Sequence, residues 1–134
     1  MNWKTILTLS LLGAIMGLLS VYGISKGYIE FALWMVIALI SALTIERTTQ
    51  KQLVTHGFLV GFLDGLFHGI VVAIFADTYF MNRPEVLEQY MQMGEGIPLS
   101  LYPVIASVLT GIVYGLFIGL IVYLTRKTTK RQFS

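Results

Sequence analysis

Four long apolar runs, at roughly 5–24, 27–45, 53–76 and 101–124, dominate the chain. Each is continuous and lacks the alternation of a lipid-facing strand. Each approaches the ~20 helical residues that cross a hydrocarbon core of ~30 Å. The pattern predicts an all-α membrane protein, a four-helix transmembrane bundle. The polar breaks at 25–27 and at ERTTQKQ (46–52) are short, which makes successive helices antiparallel neighbours. The third break, NRPEVLEQYMQMGEGIP (82–98), is long. Within it Pro84 suits the first turn of a helix, with Asn82 or Arg83 before it. Glu85 and Glu88 favour the positive end of that helix dipole. Val86, Leu87, Tyr90 and Met91 share one face, and Gly94 and Gly96 end the segment. A short amphipathic helix on the outer membrane surface is expected between helices three and four.

Composition agrees with this pattern. Of 134 residues, 56% are hydrophobic and 12% charged, about half the ~25% charged share of soluble domains. One transmembrane domain, 1–134, is the natural division at this length. The first run, with Lys4 ahead of it, has the look of a signal peptide. It is long, however, and no small-residue cleavage pattern follows, so it reads as a membrane helix. Cysteine is absent, which excludes disulfides, thiolate metal sites and thiol chemistry.

The net charge is only +2, and its placement matters more than its size. With the N-terminus inside, Lys4, Arg47, Lys51, Arg126, Lys127, Lys130 and Arg131 lie on the cytoplasmic side. Lys26 and Arg83 alone lie outside. This bias predicts an N-in/C-in topology. Tyr22, Tyr28, Tyr79 and Tyr102 at outer ends, and Trp3 and Tyr123 at inner ends, fit interfacial belts. The tail RKTTKRQFS suits anionic lipid headgroups, at roughly 1 kcal/mol per basic residue. It is too short, with no fold behind it, to suggest a nucleic-acid partner.

Helix three carries a glycine at every fourth position: Gly57, Gly61, Gly65 and Gly69. Helix four repeats the device with Gly111, Gly115 and Gly119, extended by Ser107, and helix one has a shorter version in Gly13 and Gly17. Glycine gains nothing from lipid, whereas a second backbone can approach it closely. These rows are therefore expected to pack helices, with Phe58, Leu59, Phe62, Leu63, Leu66 and Phe67 on the opposite side. Spacing alone leaves open whether the partner helix belongs to the same chain or to a second copy in a homodimer.

The residues before the glycines of helix three include His56, Asp64 and His68; those before the glycines of helix four include Thr110 and Tyr114. At ~1.5 Å per residue, Asp64, His68, Thr110 and Tyr114 fall at similar depths in antiparallel helices. A hydrogen-bonded cluster of these four inside the bundle is expected. An aspartate at a helix centre costs roughly 2.5–3.5 kcal/mol on insertion scales, and such residues face the interior. Three roles are open to the cluster: a polar tie between helices, a proton relay through Asp64 and His68, or two ligands toward a metal. The metal reading lacks further ligands, and no cofactor is indicated. His56, near the inner interface, is expected to meet solvent or lipid. Glu30 is one turn from Lys26 and can pair with it. Asp77 can cap a helix or pair with Arg83. No nucleophile elbow, H-E-x-x-H or phosphate-binding loop appears, so an enzyme is not indicated.

The segment KQLVTHGFLVGFLDGLFHGIVVAIFADTYFMNRPE has a His-Gly opening, an Asp-Thr-Tyr end and an Asn-x-Pro start to an acidic helix. It resembles a group of small bacterial four-helix membrane proteins of unknown function, over about residues 28–124. The resemblance implies a bacterial inner-membrane setting and no residue roles. Small multidrug-resistance transporters share the size and helix count, but they carry a membrane glutamate in their first helix, where this chain has no charge between Thr5 and Ile24. The leading functional reading is a non-enzymatic, structural or accessory membrane protein packed through glycine ridges. The alternative is a proton- or cation-coupled carrier working through Asp64 and His68 as a dimer.

Overall fold

Among the residues described by the computed structural model, 1–93 and 96–132, every element is helical: α1 (Trp3–Val21), α2 (Gly27–Thr48), α3 (Leu53–Ile74), α4 (Ala76–Asn82), α5 (Pro84–Gln92) and α6 (Leu101–Gln132). Side chains are described as far as Thr129. Gly94, expected to help end the helix after Pro84, lies outside the described residues, as do the side chains of Lys130 and Arg131. Four helices, α1, α2, α3 and α6, are long and apolar enough to cross a membrane.

Local chemistry sets the ends. The Asn2 side chain accepts a bond from the Thr5 N–H at 3.3 Å, capping α1. At its other end Gly23 adopts φ +71°, and the N–H groups of Ile24 and Gly23 return to the carbonyls of Leu19 and Ser20. That is the paired bonding of a left-handed helix stop, which glycine adopts without a Cβ penalty. Pro84 occupies the first turn of α5, with Arg83 at its cap position, as its fixed φ favours.

Two boundaries differ from the sequence expectation. The third run does not continue as one helix to residue 76: Phe75, at φ −109° and ψ 37°, separates α3 from the short helix α4. The fourth run extends past residue 124, because Arg126–Thr129 continue the helical path. At ~1.5 Å per residue, the 32 residues of α6 exceed the thickness of a bilayer core.

Helix α3 is central, packed between α1 and α6, with α2 lying across α6. One end of the bundle holds the N-terminus, the α2–α3 turn and the end of α6. There the Asn2 N–H meets His56, and the Thr129 hydroxyl donates to Glu46 Oε1 at 2.8 Å. The other end holds the α1–α2 turn, α4 and α5. An apolar core of Ile6, Leu9, Ala38, Ala42, Ile45, Leu53, Val60, Ile118 and Val122 fills the half nearer the N-terminus. The half nearer α5 mixes buried Met16, Val21, Val72 and Phe80 with buried Ser20, Ser25 and Arg83, and the candidate site lies there.

Candidate functional site

The glycine rows of α3 and α6 face each other within the chain. A Cβ built on Gly61 would stand 2.5 Å from the Gly115 Cα, one on Gly65 2.6 Å from the Gly111 Cα, and one on Gly57 3.0 Å from the Gly119 Cα. Gly69 meets Ser107 in the same way. Each step of four up α3 is matched by a step of four down α6, so the two rows run in antiparallel register. On its other side α3 meets the glycines of α1: a Cβ on Gly13 would stand 2.5 Å from the Asp64 Cα, and one on Gly17 2.9 Å from the Val71 Cβ. The bulky residues expected opposite, from Phe58 to Phe67, are half-buried.

The four polar residues expected to cluster do not bond to one another. Asp64 is fully buried, and its Oδ1 accepts the Gly13 N–H of α1 at 3.0 Å. Its Oδ2 has no hydrogen-bond partner. His68 Nε2 meets Ser20 Oγ, also on α1, at 3.1 Å. The Tyr114 hydroxyl donates to the Trp34 carbonyl of α2 at 2.7 Å. Thr110 is exposed and bonds its own helix, to the Ala106 carbonyl at 2.8 Å. The depths match, because Gly65 lies against Gly111; the directions do not. Residues before the α3 glycines turn toward α1, while Tyr114 turns toward α2. The Trp34 indole stands between them, 5.5 Å from the His68 ring and 5.0 Å from the Tyr114 ring, edge-on to both.

Three smaller expectations are also corrected. His56 meets neither solvent nor lipid. It is 1% exposed, its Nε2 accepts the Asn2 N–H at 2.9 Å, and its Nδ1 lies 2.7 Å from the Gln52 carbonyl. Since Nε2 accepts, Nδ1 is the ring nitrogen that donates to Gln52. Glu30 pairs with Arg83 at 3.5 Å rather than with Lys26; Lys26 Nζ donates to the Asn82 carbonyl at 2.7 Å. Asp77 is exposed in the first turn of α4 and does not engage Arg83.

Arg83 organises the α5 end. It is 6% exposed, and its guanidinium donates to the carbonyls of Ser20 and Ser25 as well as to Glu30. It also lies 5.2 Å from the centre of the Tyr79 ring. Burial pushes the Tyr79 phenol above its ordinary value, against the opposing pull of Arg83, so the hydroxyl stays protonated. The Asn82 amide donates to the Val21 carbonyl at 2.9 Å, fastening α4 to the end of α1.

Beside this network lies a cavity of about 290 Å³. Its walls include Glu30 and Trp34 of α2, His68 and Val72 of α3, Tyr79 of α4, Val86 of α5, and Tyr102, Thr110 and Tyr114 of α6. At the opposite end Arg126 and Lys127 border a separate groove with Gln52, Val54 and Thr55. Among the described residues no three His, Asp or Glu side chains gather as metal ligands. Sequence reading missed Trp34 and Ser20 as site residues. Ser20 is an isolated serine near the end of the first apolar run, a faint signal, and Trp34 offered none. Comparison with known proteins finds no matching family model, curated relative or solved structure.

Proposed function

We propose that the chain is a non-enzymatic integral protein of the bacterial inner membrane, both termini cytoplasmic, with a structural or accessory role. The observation that carries this reading is where its buried and half-buried polar side chains go. His56, Asp64, Asn82, Arg83 and Tyr114 each bond to backbone of a different element. Polar groups held in this way act as ties between helices, at about 0.6 kcal/mol each on average. The carrier alternative needs Asp64 and His68 to exchange protons, but they face separate partners, Gly13 and Ser20. Seven basic residues sit on elements at one end of the bundle, which supports that end as cytoplasmic, and Arg126 and Lys127 suit anionic headgroups there. In this scheme α5, at the other end, lies along the outer surface.

A liposome assay separates the two readings. Asp64→Asn keeps an oxygen that can accept the Gly13 N–H, so the fold survives. The tie reading expects the wild type and Asp64→Asn to be equally silent when a pH gradient is imposed. It also expects Gly13→Leu to detach α1 and to unfold at lower SDS, because a Cβ at Gly13 already collides with α3. A proton flux in the wild type that Asp64→Asn abolishes with helicity intact would overturn it.

A further inference from the structure

The proposed function leaves one group on the cavity wall without a task. Ser20 has a single hydroxyl hydrogen, and it is donated to Glu30 Oε1 at 3.1 Å. Glu30 is the carboxylate of an ion pair with the Arg83 guanidinium, so it accepts from Ser20 and returns no proton. The contact between Ser20 Oγ and His68 Nε2 at 3.1 Å must then run from the imidazole to the serine. His68 therefore carries its proton on Nε2, and in the neutral ring Nδ1 is a bare acceptor. No hydrogen bond reaches Nδ1 among the described residues, yet it is not one of the sealed, unpartnered atoms. The ring that bears it lines the cavity. The order of bonds from His68 through Ser20 and Glu30 to Arg83 orients the imidazole as a carboxylate orients a catalytic or metal-binding histidine.

The rest of the wall selects what this acceptor can meet. The residues around it are chiefly aromatic and aliphatic: Trp34, Val72, Tyr102 and Tyr114. Among the described residues the one charged side chain on the wall, Glu30, is paired with Arg83 behind it, so neither an anion nor a cation is favoured. A volume of about 290 Å³ lies just under the ~300–1,000 Å³ range for ligand sites, enough for one ring with a short tail. From this geometry we infer that the cavity binds a neutral, membrane-soluble phenol or quinol, whose ring hydroxyl donates to His68 Nδ1.

Trp34 reports on the site, because the chain has only two tryptophans and Trp3→Phe leaves it alone. The Trp3→Phe protein, in lipid nanodiscs, is titrated with 4-butylphenol, its methyl ether 4-butylanisole, and 1-octanol, exciting the indole at the red edge of its absorption. The phenol is expected to change Trp34 emission saturably. The ether, which lacks the donor, binds about tenfold more weakly, as does octanol, which lacks the ring. His68→Leu removes the phenol's advantage over the ether, while Ser20→Ala, which keeps Nδ1, reduces that advantage without removing it. Equal responses to phenol and ether, a match between octanol and phenol, or no saturable response at all would each overturn the proposal. The comparison of ligands on Trp3→Phe decides the matter even if His68→Leu does not fold.

Discussion

Arg83 shows how a single side chain in an apolar setting is fixed by the number of its acceptors rather than by one partner. Its guanidinium serves two carbonyls and one carboxylate while only 6% of the residue is exposed. The Glu30 side chain, 24% exposed, retains access to solvent. The two halves of the ion pair are therefore unequal. Arg83→Met leaves the Ser20 and Ser25 carbonyls and Glu30 short of a donor and is expected to cost about 2–4 kcal/mol. Glu30→Gln keeps an acceptor for Arg83 and for Ser20, and the distance of 3.5 Å with partial exposure argues for about 1 kcal/mol or less. SDS titration followed by circular dichroism checks the order; equal losses would show that the carboxylate, and not the carbonyls, holds Arg83. Sequence spacing suggested a partner for Glu30 one turn away, at Lys26. The observed partner lies far along the chain, and helical periodicity carries no information about such pairs. His56 was misjudged for the same reason, since the N–H that seals it belongs to Asn2.

At the scale of elements, backbone approaches backbone most closely in the middle of the α3–α6 seam, while at Gly69 the neighbour is the Ser107 side chain. A Cβ on Gly61 would collide with the Gly115 backbone at 2.5 Å, whereas one on Gly57 would reach Gly119 at 3.0 Å; on α6, the nearest atoms to a Cβ lie at 2.5 Å for Gly115 and 3.2 Å for Gly119. Backbone cannot swing aside as a side-chain tip can, so alanine should be graded along the seam. Gly61→Ala and Gly115→Ala are expected to lose about 1–3 kcal/mol, the usual cost of overpacking, and Gly57→Ala and Gly119→Ala less than half of that. A flat profile under SDS titration would mean that the rows do not set the helix separation. The rows themselves were legible in the sequence, because a four-residue spacing is a local property. The four helices apolar enough to cross a membrane were legible for the same reason, as continuous apolar runs. The short helix α4 directly after Phe75 was not, since the end of an apolar run does not say that a new helix follows. The position of Trp34 was not either: it depends on how α2 is rotated against α3 and α6, and α2 has no glycine row to fix that rotation.

The whole molecule is divided along its length, with an apolar core toward the N-terminal end and a hydrogen-bonded, cavity-bearing half toward α5. This asymmetry gives the orientation in the membrane a physical meaning, because it decides from which side the cavity is approached. Basic residues gather on elements at the apolar-core end, which the proposed orientation turns to the cytoplasm. The absence of cysteine makes the orientation directly measurable, since any introduced thiol is the sole target. Lys51 in the α2–α3 turn and Met93 at the end of α5 are both exposed, at opposite ends of the bundle. Lys51→Cys and Met93→Cys are therefore compared in intact bacteria with a membrane-impermeant maleimide, before and after permeabilisation. Met93→Cys is expected to react in intact cells and Lys51→Cys only once the membrane is opened. The reverse pattern would place the basic end outside and turn the cavity-bearing half toward the cytoplasm. Labelling of both in intact cells would mean that the chain inserts in two orientations, in which case its few exposed charges do not fix its direction.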